Sequence, residues 1–474
     1  MAKKNKNIQL QEVLITGYAA EGKSIARHEG KVIFVQGAVP GDVANLQITK
    51  SKKDWAEGYV TSFVSVSSER AEPFCIHFGT CGGCKWQMLP YDKQLQYKQQ
   101  EAEQNLKRIG GIDLPPVSPI IGADETIHYR NKLEFTFSNK RYLQKEELGN
   151  EEITGHENAL GYHVPRLFDK VIDIKECFLM DDVNNALRNG LRKFSKENAL
   201  SFYDIRKHTG WLRNLIIRFT TTGELMVNLC INYDDEPMRI KLLDFLLREV
   251  PAITTLLYTI NPKFNDTIYD LEPQVYFGNG YITEKLSTGT GGEDFSFIIS
   301  PKSFFQTNTR QAEKLYNITR EYAGLTGNEI VYDLYCGTGS IGIFLSKGAK
   351  KIIGVEVIEE AIADAKKNAA LNNINHASFF AGDVIKICND AFFETHGRPD
   401  VIITDPPRAG MHEKLVHKLL DIAAPIIVYV SCNTATQARD LLLLSQKYRV
   451  EKVQPLDMFP HTHHIECVAL LKLI

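Results

Sequence analysis

Ile330-Val331-Tyr332-Asp333-Leu334-Tyr335-Cys336-Gly337-Thr338-Gly339-Ser340 is an apolar run that breaks into a glycine-bearing turn, as a buried strand does when it hands the chain to a helix. Four more short apolar runs follow: KIIGVEV (351–357), ASFFAG (377–382), DVIITD (400–405) and PIIVYV (425–430). Segments with helical spacing start near Ile341, Glu359, His412 and Thr434. Strands and helices alternating in this way predict an α/β fold with a doubly wound, Rossmann-like parallel sheet.

The turn after the first strand is where such a fold binds a cofactor, because glycines let the backbone approach a ligand at the carboxyl ends of the strands. Gly337 to Gly342, GTGSIG, also matches the dinucleotide pattern G-x-G-x-x-G. Glu356, ending the second strand, suits a ribose in either class of cofactor. Asp333 separates the two. A carboxylate before the glycines repels a pyrophosphate but suits the ammonium and sulfonium charges of S-adenosylmethionine.

Upstream, residues 8 to 66 read as short strands with turns at Gly22, Gly30, Gly37 and Pro40-Gly41, which predicts a small OB-like β-barrel. A cysteine-rich run, CIHFGTCGGCKWQ (75–87), precedes a polar helical stretch from Tyr91 to Arg108. A mixed α+β region then carries the strand patterns NKLEFTFS and NLIIRFT and a leucine-rich helix near Leu242 to Val250. With 474 residues, the expected division is 1–67 barrel, 68–290 central domain with the cysteine knot, and 291–474 doubly wound domain.

The composition, 43% hydrophobic and 24% charged, is that of a globular protein, and it excludes disordered and fibrous classes. The basic start lacks an apolar core, and nothing approaches a membrane span, so a cytoplasmic monomer is the expectation. The net charge of -3 conceals two basic regions. Residues 1 to 66 hold nine Lys/Arg against six Asp/Glu, and residues 188 to 218 hold eight against two. Together they point to a polyanion partner. Cys75, Cys81 and Cys84, spaced C-x5-C-x2-C, predict a metal site with Gly82 and Gly83 easing the wrap. Cys177 is the candidate fourth ligand, since Cys230 lies in an apolar strand pattern. The spacing leaves zinc and iron–sulfur open.

Three further segments fall at the same sheet edge. Asp405-Pro406-Pro407-Arg408-Ala409-Gly410 follows the fourth strand, Ser431-Cys432-Asn433 the fifth, and Leu456 to Glu466, LDMFPHTHHIE, leads into a last strand. Alone, Asp-Pro-Pro is a turn and a cysteine is usually core filling. A cysteine just past a strand end, between Ser431 and Asn433, is not in a core setting. His461, His463 and His464 are too tightly spaced to favour zinc.

Taken together, DPPRAG, IVYVSCNTAT and LDMFPHTHHIE resemble the RNA uracil-5-methyltransferase family over the catalytic region. With the cysteine knot and a barrel similar to the TRAM domain (Gly22 and the Pro40–Asp42 turn), the likeness reaches nearly the whole chain. It is greatest to the 23S ribosomal RNA branch, whose members carry a TRAM barrel and a 4Fe-4S cluster. The resemblance implies S-adenosylmethionine-dependent methylation of carbon 5 of a uridine, with Cys432 as nucleophile, Glu466 as base and Arg408 helping to form the thiolate. It implies that Gln306, Tyr335, Gly337, Ser340, Glu356, Asp383 and Asp405 contact the cofactor, although Ser340 and Asp383 stand where asparagine is expected. It also implies that Cys75, Cys81, Cys84 and Cys177 hold the cluster. Phe304, Phe305 and Tyr129 are candidates to stack on displaced bases. The alternatives are a tRNA uracil-5-methyltransferase and a non-catalytic RNA-binding assembly factor.

Overall fold

The computed structural model describes residues 8–144, 147–148, 157–289 and 291–474. The basic start of the chain, with Lys3, Lys4 and Lys6, lies outside them. Ile8–Tyr18, Ser24–His28, Lys31–Gln36, Val43–Ser51 and Trp55–Ser65 form a closed five-stranded barrel. Alternate residues, among them Val13, Ile15, Ile33, Val35 and Leu46, fill its interior. The Pro40-Gly41-Asp42 turn is locked from outside. Buried Asp42 accepts hydrogen bonds from Val39 N (2.6 Å) and Ser67 N (2.8 Å) and pairs with Arg70 at 2.7 Å. Gly41 has φ +91°, and a Cβ there would meet Ser67 Oγ at 2.8 Å.

A second sheet has seven strands in the order Gln274–Phe277, Ile253–Ile260, Leu225–Ile231, Leu212–Phe219, Lys132–Ser138, Ala159–His163, Val171–Asp173. Helices Val183–Glu197 and Glu236–Glu249 bury their apolar stripes on one face of it. The expected division after residue 290 falls between the two strands of a hairpin, Ile282–Ser287 and Asp294–Ile299. Ile282, Leu286, Phe295, Phe297 and Ile299 pack into the core of the C-terminal sheet.

That third sheet contains Ile330–Leu334, Lys351–Glu356, Ala377–Ala381, Val401–Thr404, Ile426–Ser431, Tyr448–Leu456 and Glu466–Leu473. Counted in chain order, they lie 3-2-1-4-5-7-6, with the last strand antiparallel and inserted between the fifth and sixth. The five apolar runs read from sequence are the five leading strands, and helices Ser340–Leu345, Glu359–Leu371, Glu413–Ile422 and Thr434–Leu444 start where expected. The polar helix Tyr91–Gly110, far upstream in sequence, packs against Thr434–Leu444, with Gly110 against Ala438.

The structure corrects one inference from charge. Of the basic residues between 188 and 218, Arg188, Arg213 and Arg218 are buried. Arg192 pairs with Asp173 and Arg206 with Asp169. Much of that cluster serves to satisfy buried carbonyls and carboxylates rather than to form a free cationic face. Among the described residues, no helix is long and apolar enough to cross a membrane.

Candidate active site

The first strand ends in Asp333, wholly buried, whose Oδ2 accepts from Gly342 N at 2.9 Å. Its Oδ1 has no partner among the described residues. Burial, opposed by that hydrogen bond, pushes the carboxyl up to about 7. A Cβ on Gly342 would sit 3.0 Å from the carboxylate, so the glycine is required by this approach. The chain then turns sharply. Tyr335 holds φ +61°, and the amides of Tyr335 and Cys336 donate to Val355 O at 3.0 and 3.2 Å. Gly337 N donates to Glu356 Oε2 at 3.3 Å, while Glu356 Oε1 accepts from Val357 N and Ile358 N. An acid with an unsatisfied oxygen and a second acid at the next strand end therefore flank one glycine turn.

Of the other expected cofactor contacts, Tyr335 lies within electrostatic reach of Asp383 and Glu356. Asp383 caps the helix Val384–Ile387 by accepting from Ile385 N. Ser340 is drawn elsewhere, its Oγ lying 2.8 Å from Tyr316 Oη. Gln306 is half-buried, and its carbonyl accepts from Asn131 Nδ2 at 2.8 Å. Cys336 is buried in the core, as a space-filling residue would be.

Asp405, Cys432 and Glu466 come together from three strands. Cys432 is half-buried, and burial, with Glu466 and Asp405 adding to it and Arg408 opposing, pushes its thiol up to about 12. Glu466 is buried, and its carboxyl is raised far above the usual range by burial and by Asp405. Burial pushes Asp405 up to about 7. The loop carrying Asp405 is pinned to the helix after Cys432. Arg408 O accepts from Asn433 Nδ2 and Thr436 Oγ1, both at 3.2 Å, Arg439 donates to Ala409 O, and Asp440 accepts from Met411 N. Asn433 also caps that helix.

Glu466 is delivered by a strap, residues 457 to 465, fixed in part by Lys98, Asn308, Gln311 and Gln94, which the sequence did not single out. Lys98 and Asp457, both fully buried, pair at 2.6 Å across 359 positions of sequence. Tyr91 Oη donates to the other Asp457 oxygen at 2.8 Å. Asn308 Nδ2 donates to Met458 O, Gln311 Nε2 to Asp457 O, and Tyr129 Oη to Pro460 O. His461, at φ +62°, is bonded to Gln94, and His464 Nδ1 lies 3.0 Å from Arg408 Nη2. His463 packs against Gly22, so the barrel touches the strap. Tyr129 and Phe305 are buried, which removes both as stacking candidates, whereas Phe304 is exposed.

Cys75, Cys81, Cys84 and Cys177 line a single cavity. Burial pushes Cys81 up to about 12 and Cys84 up to about 11. Buried Arg188 and half-buried Arg130 act in the opposite direction on Cys177. Gly82 and Gly83 do not adopt positive φ. Gly82 instead passes so close to Pro165 that a Cβ would sit 3.0 Å from its ring. Among the described residues, no three of His, Cys, Asp or Glu converge tightly enough for a single ion.

A doubly wound sheet with a buried acid, a glycine turn and a second carboxylate at the next strand end is the architecture of an S-adenosylmethionine-dependent methyltransferase. The tRNA (uracil-5-)-methyltransferase family model matches residues 270–474, and the TRAM domain model matches residues 4–61. An uncharacterized RNA methyltransferase of Bacteroides thetaiotaomicron is 53% identical over 96% of this chain and all of its own. One from Porphyromonas gingivalis is 48% identical over 96% of this chain and 98% of its own. The Pyrococcus abyssi tRNA (uracil-54, C5)-methyltransferase, solved with S-adenosyl-L-homocysteine, superposes with a TM-score of 0.73 at 28% identity, covering 98% of this chain and 100% of that one. The chain belongs to the RNA uracil-5-methyltransferase family, and its cofactor is S-adenosylmethionine.

Proposed function

We propose that the enzyme methylates carbon 5 of a uridine in 23S rRNA, with Cys432 as nucleophile and Glu466 as base. The observation that carries the reading is the meeting of Cys432, Asp405 and Glu466 at the strand ends that also bear Asp333 and Glu356. Carbon 5 of uracil is a poor nucleophile until something adds at carbon 6, and a thiolate adds there and still leaves readily. Cys432 Sγ bonds to carbon 6 as its proton passes to the Asp405 carboxylate, and the displaced C5–C6 electron pair becomes an enolate. Bound S-adenosylmethionine supplies an electrophilic methyl group to carbon 5. Glu466, as carboxylate, takes the carbon 5 proton, and the C–H electrons re-form the double bond and expel the Cys432 thiolate. Arg408, which lowers the cost of charge on both Cys432 and Glu466, supports these ionised forms. Asp333, Tyr335, Gly337, Glu356, Asp383, Gln306 and Asp405 would hold the cofactor, and Ser340 would act through Tyr316.

The same reading divides the chain into a barrel and a central unit that hold RNA, over 1–67 and 68–281, and a catalytic unit over 282–474, the boundary lying before rather than within the hairpin that packs on the C-terminal sheet. Cys75, Cys81, Cys84 and Cys177 would hold a 4Fe-4S cluster. Four thiols on one cavity wall with the buried Arg188 and the half-buried Arg130 nearby suit such a group, whose role here is structural because the chemistry needs no electron. The tRNA (uracil-54) specificity of the Pyrococcus abyssi relative supports tRNA as the second substrate reading.

The test is covalent trapping. Anaerobically purified protein and S-adenosylmethionine are incubated with 5-fluorouridine-substituted 23S rRNA fragments or tRNA. Fluorine blocks the proton removal assigned to Glu466, so a methylated, denaturation-stable adduct should form at Cys432, with the RNA that forms it as the substrate. If protein that binds the cofactor yields no adduct with either RNA, the uridine reading is wrong.

A further inference from the structure

The loop 261–273 does not turn directly between strands Ile253–Ile260 and Gln274–Phe277 but runs across the outer face of the central sheet. It starts at one end of the strand Leu212–Phe219. There, buried Arg213 donates to Asn261 O (2.7 Å) and Asn265 O (3.0 Å) and pairs with Asp266 at 2.9 Å. Midway, Ile268 packs on Ile216 and Cys230. At the far end, Lys302 Nζ donates to Leu271 O (3.1 Å), Arg218 donates to Ser303 O, and Tyr269 lies within electrostatic reach of Arg218. From Arg213 to Arg218 the path covers roughly 17 Å at about 3.3 Å per residue. It ends at Ser303, next to Phe304 and five residues before Asn308, whose side chain is bonded to Met458 O of the strap that carries Glu466.

Three rings stand out from this path: Phe264 is 73% exposed, Tyr269 69% and Phe304 70%. Single exposed apolar residues need no explanation, but a row of aromatic rings leading to an active site does. Phe264 is propped by His208, stacked at 4.1 Å, which holds one face of the ring in place. The cations beside the row are already engaged. Lys263 pairs with Asp270, and Lys302 lies 3.6 Å from Glu272. The row therefore offers π faces and little uncompensated charge, which suits bases better than phosphates.

We propose that Phe264, Tyr269 and Phe304 form a stacking track for a single-stranded stretch of the substrate RNA, leading unstacked nucleotides across the central sheet to the crevice. The proposal rests on the RNA-uridine reading of that crevice. Stacking on aromatic rings tolerates any base, and it matches the need to splay out the nucleotides around a target that must leave its helix.

The full-length protein is titrated with a 12-nucleotide single-stranded oligouridine at several salt concentrations. The combined substitution Phe264→Ala and Tyr269→Ala should weaken binding about tenfold or more. Because the neighbouring cations are paired, the slope of log Kd against log salt should not change. Phe264→Trp with Tyr269→Phe should restore affinity. Unchanged binding in the alanine variant would assign the rings to a protein-docking surface and overturn the track, and so would a loss that the aromatic replacements do not rescue. The 5-fluorouridine adduct is scored on the same proteins. Its absence from the wild type would sink the uridine reading, whereas its presence with unaltered oligouridine binding would sink the track alone.

Discussion

Two regions of this molecule use cysteine, and they place it differently. The cavity near the barrel gathers four thiols from two distant segments, 75–84 and 177, and backs them with buried arginine. The crevice presents one thiol, half-exposed, between two carboxyl groups that both make its ionisation harder. In each place the protein alone holds sulfur as thiol. In the cavity, the metal cations of the proposed cluster would turn these thiols into ligands. The crevice needs the positive sulfonium of S-adenosylmethionine and a substrate to make a thiolate worth forming. On this reading each site leaves its sulfur protonated until its own ligand arrives, which keeps a reactive sulfur quiet.

If the two regions are independent, single substitutions should separate them completely. Cys432→Ala should abolish methyl transfer and adduct formation while leaving the iron content unchanged. Cys177→Ser should remove the iron and its visible absorbance while leaving S-adenosylmethionine affinity, measured by calorimetry, as it was. Loss of iron from the first variant, or of cofactor binding from the second, would mean that the regions are coupled.

Within the crevice, Glu466→Gln should slow turnover by about 10²- to 10⁴-fold yet still form the Cys432 bond. A methylated protein–RNA adduct should therefore accumulate on denaturing gels even with ordinary uridine. Equal loss of adduct and turnover would move Glu466 from the elimination step to an earlier one.

The strap that carries Glu466 is tied to the helix Tyr91–Gly110 by the buried Lys98–Asp457 pair. Lys98→Met leaves Asp457 charged and unpaired, at a cost of about 3–5 kcal/mol in denaturant unfolding. Adding Asp457→Asn should recover part of it, because the stranded charge is then gone.

The smallest effect expected is on the pH profile. Burial raises both Cys432 and Glu466 above their ordinary values, with Glu466 and Asp405 adding to the first and Asp405 to the second, and each works in its deprotonated form. The single-turnover rate should therefore climb with pH through neutrality, by up to about tenfold per unit. A profile falling over that range would contradict both assignments.

Much of this was legible along the chain. The alternating apolar runs and the turn after Asp333 specify a doubly wound sheet because strand and helix periods are local properties. The positions of Cys432 and Glu466 at strand ends follow from the same pattern. Spacing singled out Cys75, Cys81 and Cys84 as metal-site candidates, and Cys177 was added because Cys230 sits in an apolar strand pattern. What only the tertiary structure decided depends on distant partners. Ser340 turns to Tyr316, Tyr129 is used up by Pro460, and the apparent basic cluster at 188–218 proves to be largely buried or paired. Lys98 looks like any other lysine on a polar helix until Asp457, 359 positions away, arrives beside it. Burial and electrostatic pairing are set by which surfaces meet in three dimensions, and a residue's own neighbours in sequence carry no record of that.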